Sequence, residues 1–198
     1  MAKTDKQIML EILSGAFRES DRLRPIMRKG KTEKRLKIMA AYAYDVSKKF
    51  DGIFLSSDKS TGIIYWRKST FKRSFADHLK YAWMFLRTIK LYKLFETAKR
   101  ERYVESRRPD IDDYFYVWLL GKDPDVKGIH GLADIRDHLN EIMNREGIPI
   151  LIETTVVKLL KLYKYVGFEI YDEFFDETID MTVYFLKKVP SASSINST

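Results

Sequence analysis

Cysteine is absent from this 198-residue chain. Its absence excludes disulfides, thiolate metal centres and a cysteine nucleophile. Histidine is scarce: His78, His130 and His138 are too few and too scattered to build a metal site. Long apolar runs are missing as well. No stretch approaches the roughly 20 apolar residues needed to span a bilayer, and the opening "MAKTDKQIMLEIL" lacks the uninterrupted apolar core of a secretory signal. The expectation is a soluble, cytoplasmic protein. Internal repeats are lacking too, and no nucleic-acid-binding motif accompanies basic clusters such as "RKGKTEKRLK".

Apolar and aromatic residues are plentiful. At 45% hydrophobic and 14% aromatic the chain can bury a real core, and its length fits a single domain over residues 1–189. The closing "PSASSINST", residues 190–198, holds no core-forming residue and reads as a flexible polar tail. A net charge of +8 and a pI near 9.4 suit an anionic ligand or partner. Charge alone does not separate nucleic acid from a nucleotide cofactor or an acidic membrane surface.

Apolar spacing predicts a helix over Lys6 to Phe17, then a charged link broken by Pro25 and Gly30, then a helix over Glu33 to Phe50 with Leu36, Met39, Ala40 and Ala43 on one face. "GIFLSS" and "GIIYWRK" flank "DKST" and read as a β-hairpin. Phe71 to about Arg100 reads as one long helix with Phe75, Leu79, Ala82, Leu86 and Ile89 as its core stripe. From Tyr81 to Phe95 its apolar residues run all the way round, so it is buried on most sides or covers a second surface. "KRERYVESRRPD" reads as a solvated link. "DYFYVWLL" is apolar on both faces, as a central strand is. A helix with Leu132, Ile135, Leu139, Ile142 and Met143 on one side follows and stops at Gly147, just before Pro149. "IPILIE" is a buried strand, Thr155 to Val166 a further helix, and "GFEIYDEF" with "DMTVYFLKK" a second hairpin. The predicted fold is mixed α/β (α+β), with a sheet that is partly antiparallel and partly parallel.

The stretch "LLGKDPDVKGIHGLADIRDHLNEIMNREGIPILIETTVVKLLKLYKYVGFEIYD" resembles the GNAT superfamily of acyl-CoA-dependent N-acyltransferases. The resemblance rests on the central strand with Leu119, Leu120 and Pro124, the loop Lys127 to Leu132, the strand end Ile152-Glu153-Thr154, Tyr163, and Gly167-Phe168 opening the next strand. It covers Tyr114 to Lys187; the first half agrees only in the order of its elements. Where the family loop runs Gln/Arg-x-x-Gly-x-Gly/Ala, this chain has Lys127, Gly128, Ile129, His130, Gly131 and Leu132, so His130 and Leu132 stand where small residues are usual. Leu159 replaces the helical Asn that commonly precedes the tyrosine.

The resemblance implies a mixed, mostly antiparallel twisted sheet flanked by helices, with acetyl-CoA as cosubstrate and an amine of a small molecule as acceptor. It implies that loop residues Lys127 to Leu132 hold the pyrophosphate, that Val117, Leu119 and Leu120 lie beside the pantetheine arm, and that Tyr163 protonates the departing sulfur. Phosphate binding at a helix start needs free N–H groups and a glycine-permitted approach. The loop by itself reads as a plain strand-to-helix turn with Gly131 opening the helix; the surrounding family pattern is what turns it into a phosphate site. Tyr163 by itself reads as a core aromatic. Glu153, at the end of a buried strand near the expected thioester, is the first candidate for the base that the attacking amine requires; otherwise it is a surface or capping carboxylate. Two other readings stay open: a catalytically degenerate GNAT-fold binding or interaction module, and a basic nucleic-acid-binding protein. The sequence leaves the acceptor and the oligomeric state open and is compatible with a homodimer.

Overall fold

A computed structural model describes residues 3–18, 20, 23 and 25–190. Apart from Pro190, the expected polar tail lies outside the described residues. Helices α1 (Asp5–Ala16) and α2 (Thr32–Ser47) precede a hairpin of β1 (Ile53–Leu55) and β2 (Thr61–Arg67). Then come α3 (Phe75–Thr88), α4 (Leu94–Ser106), β3 (Phe115–Lys122), α5 (His130–Glu146), β4 (Ile150–Thr154), α6 (Val157–Tyr165), β5 (Glu169–Asp176) and β6 (Met181–Lys188). The strands form one six-stranded sheet in the order β1-β2-β3-β4-β6-β5. The β3–β4 pair is parallel and the other pairs antiparallel.

Strand alternation sorts the core into two layers. Ile63, Tyr65, Val117, Ile150, Ile152 and Leu186 pack under α5 through Ile135, Leu139, Ile142 and Met143, with Leu160 and Tyr163 of α6 joining them. On the opposite face Ile64 meets α1 and α2 through Met9, Leu13, Ala40 and Ala43, while Val104 of α4 covers Val183 and Phe185. The sheet is thus buried on both sides, as its two-sided apolar strands require. Among the described residues, no helix is long and apolar enough to cross a membrane.

The single long helix expected over Phe71 to Arg100 is two helices. The chain breaks at Ile89, which is extended (φ −94°, ψ 146°) and buried at 1% exposure. Ile89 bridges Met27 of the preceding link. Arg28 N–H donates to Thr88 O, and Lys90 N–H donates to Ile26 O, each at 2.9 Å. These long-range backbone bonds take the place of helical ones at the break. A 3-10 turn (Leu91–Lys93) then re-aims the chain into α4.

Apart from Ile89, which is buried as expected, the core stripe of this segment is also inverted. Phe75, Leu79, Ala82 and Leu86 face solvent, whereas Asp77, Met84 and Thr88 are buried. Both faces of α3 are apolar, so periodicity alone has no way to choose between them. Asp77 is tolerated inside because it forms a capping box with Ser74 and pairs with Lys49. Its carboxyl is held down at about 2, chiefly by the Lys49 bond and against the burial that opposes it.

His138 on α5 stacks on Phe54 (centroids 4.0 Å apart, 7° between planes), and its Nε2 lies 3.0 Å from the Tyr65 hydroxyl. Burial lowers its pKa below the ordinary 6.5. Below about pH 6.5 the unfolded chain therefore takes up a proton that folded His138 resists, and stability falls as pH drops through that value toward the lower folded one. We expect His138→Gln to flatten this part of the stability profile between about pH 7 and 5, measured by urea unfolding at each pH. A variant profile parallel to the parent's excludes His138 as its source.

Candidate active site

Strands β3 and β4 run together only briefly. Phe115, Tyr116 and Val117 pair with Ile150, Leu151 and Ile152, and there the pairing stops. Beyond it β3 stays with β2 as far as Lys122, while β4 stays with β6 as far as Thr154. The cause lies in β3: opposite β2 the register passes from Tyr65↔Val117 to Ile64↔Leu119, leaving Trp118 as an extra bulged residue. A bulge bends its strand and sharpens the local twist. It also sends Trp118 and Leu119 to the same face, with α1 and α2, while Val117 and Leu120 face α5. The result is a cleft between two diverging parallel strands, with the edge of β3 from Trp118 to Leu120 unpaired on its β4 side among the described residues.

The loop after β3 leads to the start of α5. Its first half is tied down: Asp123 N–H donates to Ser60 O (2.7 Å) and Asp125 N–H to the Asp123 carboxylate (2.9 Å). Its second half is not. Helical bonding begins with Ala133 N–H to Ile129 O, and no side chain caps the helix. Among the described residues, nothing accepts from the amides of Gly128, Ile129, His130, Gly131 or Leu132. Gly128 turns the chain with φ 97°, open to a residue without Cβ at little cost. Gly131 serves a different need. It is buried, and a Cβ there would overlap the hydroxyls of Ser60 and Thr61, so its small size seats the first turn of α5 on the start of β2. Lys127, Ile129 and His130 are exposed and Leu132 is half-buried, so the bulky neighbours leave the amides uncovered. The site is not uniformly positive. Asp134 accepts from Ser57 N–H (2.8 Å) and Oγ (2.7 Å), which lowers its pKa. Asp58 is lowered to about 2 by hydrogen bonds from Ser56 and Ser60. Both are carboxylates at neutral pH.

On the α1–α4 face of the sheet lies a cavity of about 270 Å³. Trp66, Tyr116 and Trp118 form its floor, with Tyr81, Phe85 and Ile89 of the α3 segment across from them. Glu153 opens into it from the end of β4. Its side chain is only 5% exposed, and Oε1 accepts from Arg108 Nε at 3.2 Å. The Arg108 guanidinium lies over the Tyr116 ring, 4.0 Å from its centroid, and also pairs with Glu105 at 3.7 Å. Glu101 accepts from the Tyr81 hydroxyl, which burial and then the Glu101 charge push well above the ordinary tyrosine range.

No protein-family model matches the chain, and no curated protein matches it in sequence. Solved structures do match in shape. The C-terminal condensation domain of Ebony, in complex with beta-alanyl-dopamine, superposes with a TM-score of 0.65 at 10% identity over 93% of each chain. Arylalkylamine N-acetyltransferase 2 of Aedes aegypti gives 0.64 at 14% identity, over 96% of this chain and 97% of that one. A protein described as histone acetyltransferase HPA2 and related acetyltransferase, from Corynebacterium glutamicum, gives 0.61 at 16% identity, over 96% of this chain and 94% of that one. The chain has the GNAT fold.

In this GNAT fold the expected site residues fall into three groups. Val117, Leu119 and Leu120 border the cleft, and residues 127–132 form the loop and helix start beyond it. Glu153 and Tyr163 do not meet. Glu153 faces the aromatic cavity, whereas Tyr163 sits half-buried on α6 at the opposite face, edge-on to Phe168 with centroids 5.8 Å apart. Burial pushes the Tyr163 hydroxyl up to about 12, so it keeps its proton at neutral pH. The aromatic floor and Arg108 had no readable signal. "KRERYVESRRPD" reads as solvated link, yet Thr97, Arg100 and Val104 follow helical spacing as the buried stripe of α4, and Arg108 lies just beyond them at 13% side-chain exposure. Polar residues on the inner face conceal that periodicity.

Proposed function

We propose that the protein is an N-acetyltransferase that moves an acetyl group from acetyl-CoA to the amine of an aromatic or arylalkyl small molecule. The observation that carries this reading is the splay of β3 from β4 beside the acceptor-free amides at the start of α5. The amides from Gly128 to Leu132, backed by the helix dipole and Lys127, would hold the pyrophosphate. The unpaired peptide edge from Trp118 to Leu120 would hydrogen-bond the pantetheine arm and polarise the acyl carbonyl. Acetyl-CoA supplies the activated thioester. Tyr163, protonated at neutral pH, holds a proton for the departing sulfur. Glu153 takes the proton of the attacking amine from the cavity side, with Arg108 fixing its orientation. The aromatic walls suit an arylalkylammonium, since rings attract a cation over their faces. Of the similar structures named above, one is an arylalkylamine N-acetyltransferase and another is in complex with beta-alanyl-dopamine.

A GNAT-fold binding module without catalysis is the second reading. Asp58 and Asp134 favour it, because two carboxylates at the helix start oppose a diphosphate. One titration separates the readings. If acetyl-CoA binds, at about 100 times its Kd it adds about 2.7 kcal/mol of stability, a melting rise of roughly 5–10 °C for a chain of this size. Thiol release on adding an arylalkylamine then shows transfer. No melting shift at saturating CoA or acetyl-CoA ends the enzyme reading.

A further inference from the structure

Among the described residues, the outward face of α3 and of the segment after it is apolar and uncovered. Phe75, Leu79, Trp83 and Leu86 recur at helical spacing along one stripe, each half or more exposed. Leu91 and Tyr92 of the 3-10 turn, which follows in the chain, are exposed as well, and so is Phe95 in the first turn of α4, at 81%. Scattered apolar residues on a surface need no explanation, but a contiguous ridge of this size does.

The charges around the ridge say what covers it. Between Lys72 and Arg102 there are nine Lys or Arg against three Asp or Glu, a surplus of six within a chain whose net charge is +8. The acids are occupied: Asp77 is buried on Lys49, Glu96 pairs with Lys93, and Glu101 accepts from Tyr81. Lys80 and Arg87 flank the stripe on α3, the latter over the Trp83 ring at 4.6 Å. Lys99 and Arg102 extend the Phe95 face by one and two turns. None of Lys72, Lys80, Arg87, Lys99 and Arg102 forms an ion pair among the described residues.

We propose that this ridge docks the protein on an anionic lipid surface, with α3 and the start of α4 lying in the plane of the interface. A stripe of Phe, Leu, Trp and Tyr between Lys and Arg is the pattern of an in-plane interfacial helix. Trp and Tyr place a ring in the headgroup layer, and the long basic side chains reach out to the phosphates. A fluid acyl layer receives projecting side chains from three successive elements without preformed sockets. A second copy of the chain is the poorer occupant, because two-fold pairing would set the same cations against each other. The inner faces of α3 and α4 line the aromatic cavity, so docking brings that cavity beside the headgroup layer.

The test uses the full chain and unilamellar vesicles of phosphatidylglycerol and phosphatidylcholine, with pure phosphatidylcholine vesicles in parallel. We expect co-sedimentation with the anionic vesicles, little with the neutral ones, and weakening at about 0.5 M salt. Leu79→Glu/Trp83→Glu, on exposed positions that leave the core intact, is expected to weaken binding at least about tenfold, and so is Lys80→Glu/Arg87→Glu. Trp83 is the exposed tryptophan, so emission should shift to the blue on the anionic vesicles in the parent and not in Trp83→Phe. The proposal is overturned if the folded protein ignores anionic vesicles, or if both double variants bind as the parent does. A solution dimer that Leu79→Glu/Trp83→Glu dissolves overturns it too, since the ridge is then a contact between copies. These readouts need neither acetyl-CoA nor turnover.

Discussion

Asp176→Ala is expected to lower stability by about 3–5 kcal/mol, the cost of breaking a buried ion pair by removing one of its members. Asp176 ends β5 and accepts from Arg100 Nε of α4; the two side chains are 4% and 7% exposed. The pair helps lock α4 onto the sheet, next to the contact of Val104 with Val183 and Phe185. At about 2–4 °C per kcal/mol for a chain of this length, the melting temperature should drop by roughly 10 °C. Asp176 also accepts from Thr178 N–H at 3.0 Å in the turn to β6. Asp176→Asn, which can keep that turn bond, separates the loss of charge from the loss of the turn. The double variant Arg100→Met/Asp176→Leu removes both charges and fills the space, and it should recover most of the loss. Urea unfolding of the variants decides. A loss under about 1 kcal/mol for Asp176→Ala would place the pair in effective contact with water.

Tyr163→Phe is expected to reduce kcat by about 100-fold or more, within the range of removing a general acid. KM for acetyl-CoA should change little, because the ring and its contact with Phe168 are kept. Since burial raises the hydroxyl to about 12, the parent's rate should show no alkaline loss assignable to Tyr163 between pH 6 and 9, taken as roughly three or more units below that pKa. Steady-state kinetics on the acetyl-CoA-dependent reaction checks both statements. Turnover equal to the parent's would return Tyr163 to the core, where its helical spacing alone would put it.

The legible half of the molecule is the half with strong local patterns. The two-sided apolar run of β3, the α5 stripe ending at Gly147, β4 and the β5–β6 hairpin all stand close to where their residue patterns put them. Their alternation, spacing and punctuation agree with one another, and such consistency makes a segment readable. The α3 segment shows the opposite case. It is apolar on both faces, so its type is evident but its orientation is not, and the break at Ile89 depends on a bridge to Met27 more than sixty residues away.

The sequence by itself determined the order and kind of most elements, the absence of cysteine chemistry, and a turn with Gly128 and Gly131 ahead of an amphipathic helix. Those follow from local propensity and period, which a single segment carries. Only the tertiary structure decided that the loop's last amides stay free, that Gly131 is small in order to seat α5 on Ser60 and Thr61, and that Trp118 bulges out and parts β3 from β4. It also decided that Glu153 faces an aromatic cavity while Tyr163 faces the other side of the sheet. Each of these depends on which distant surface a residue meets, and that is settled by packing of the whole chain rather than by its neighbours in sequence.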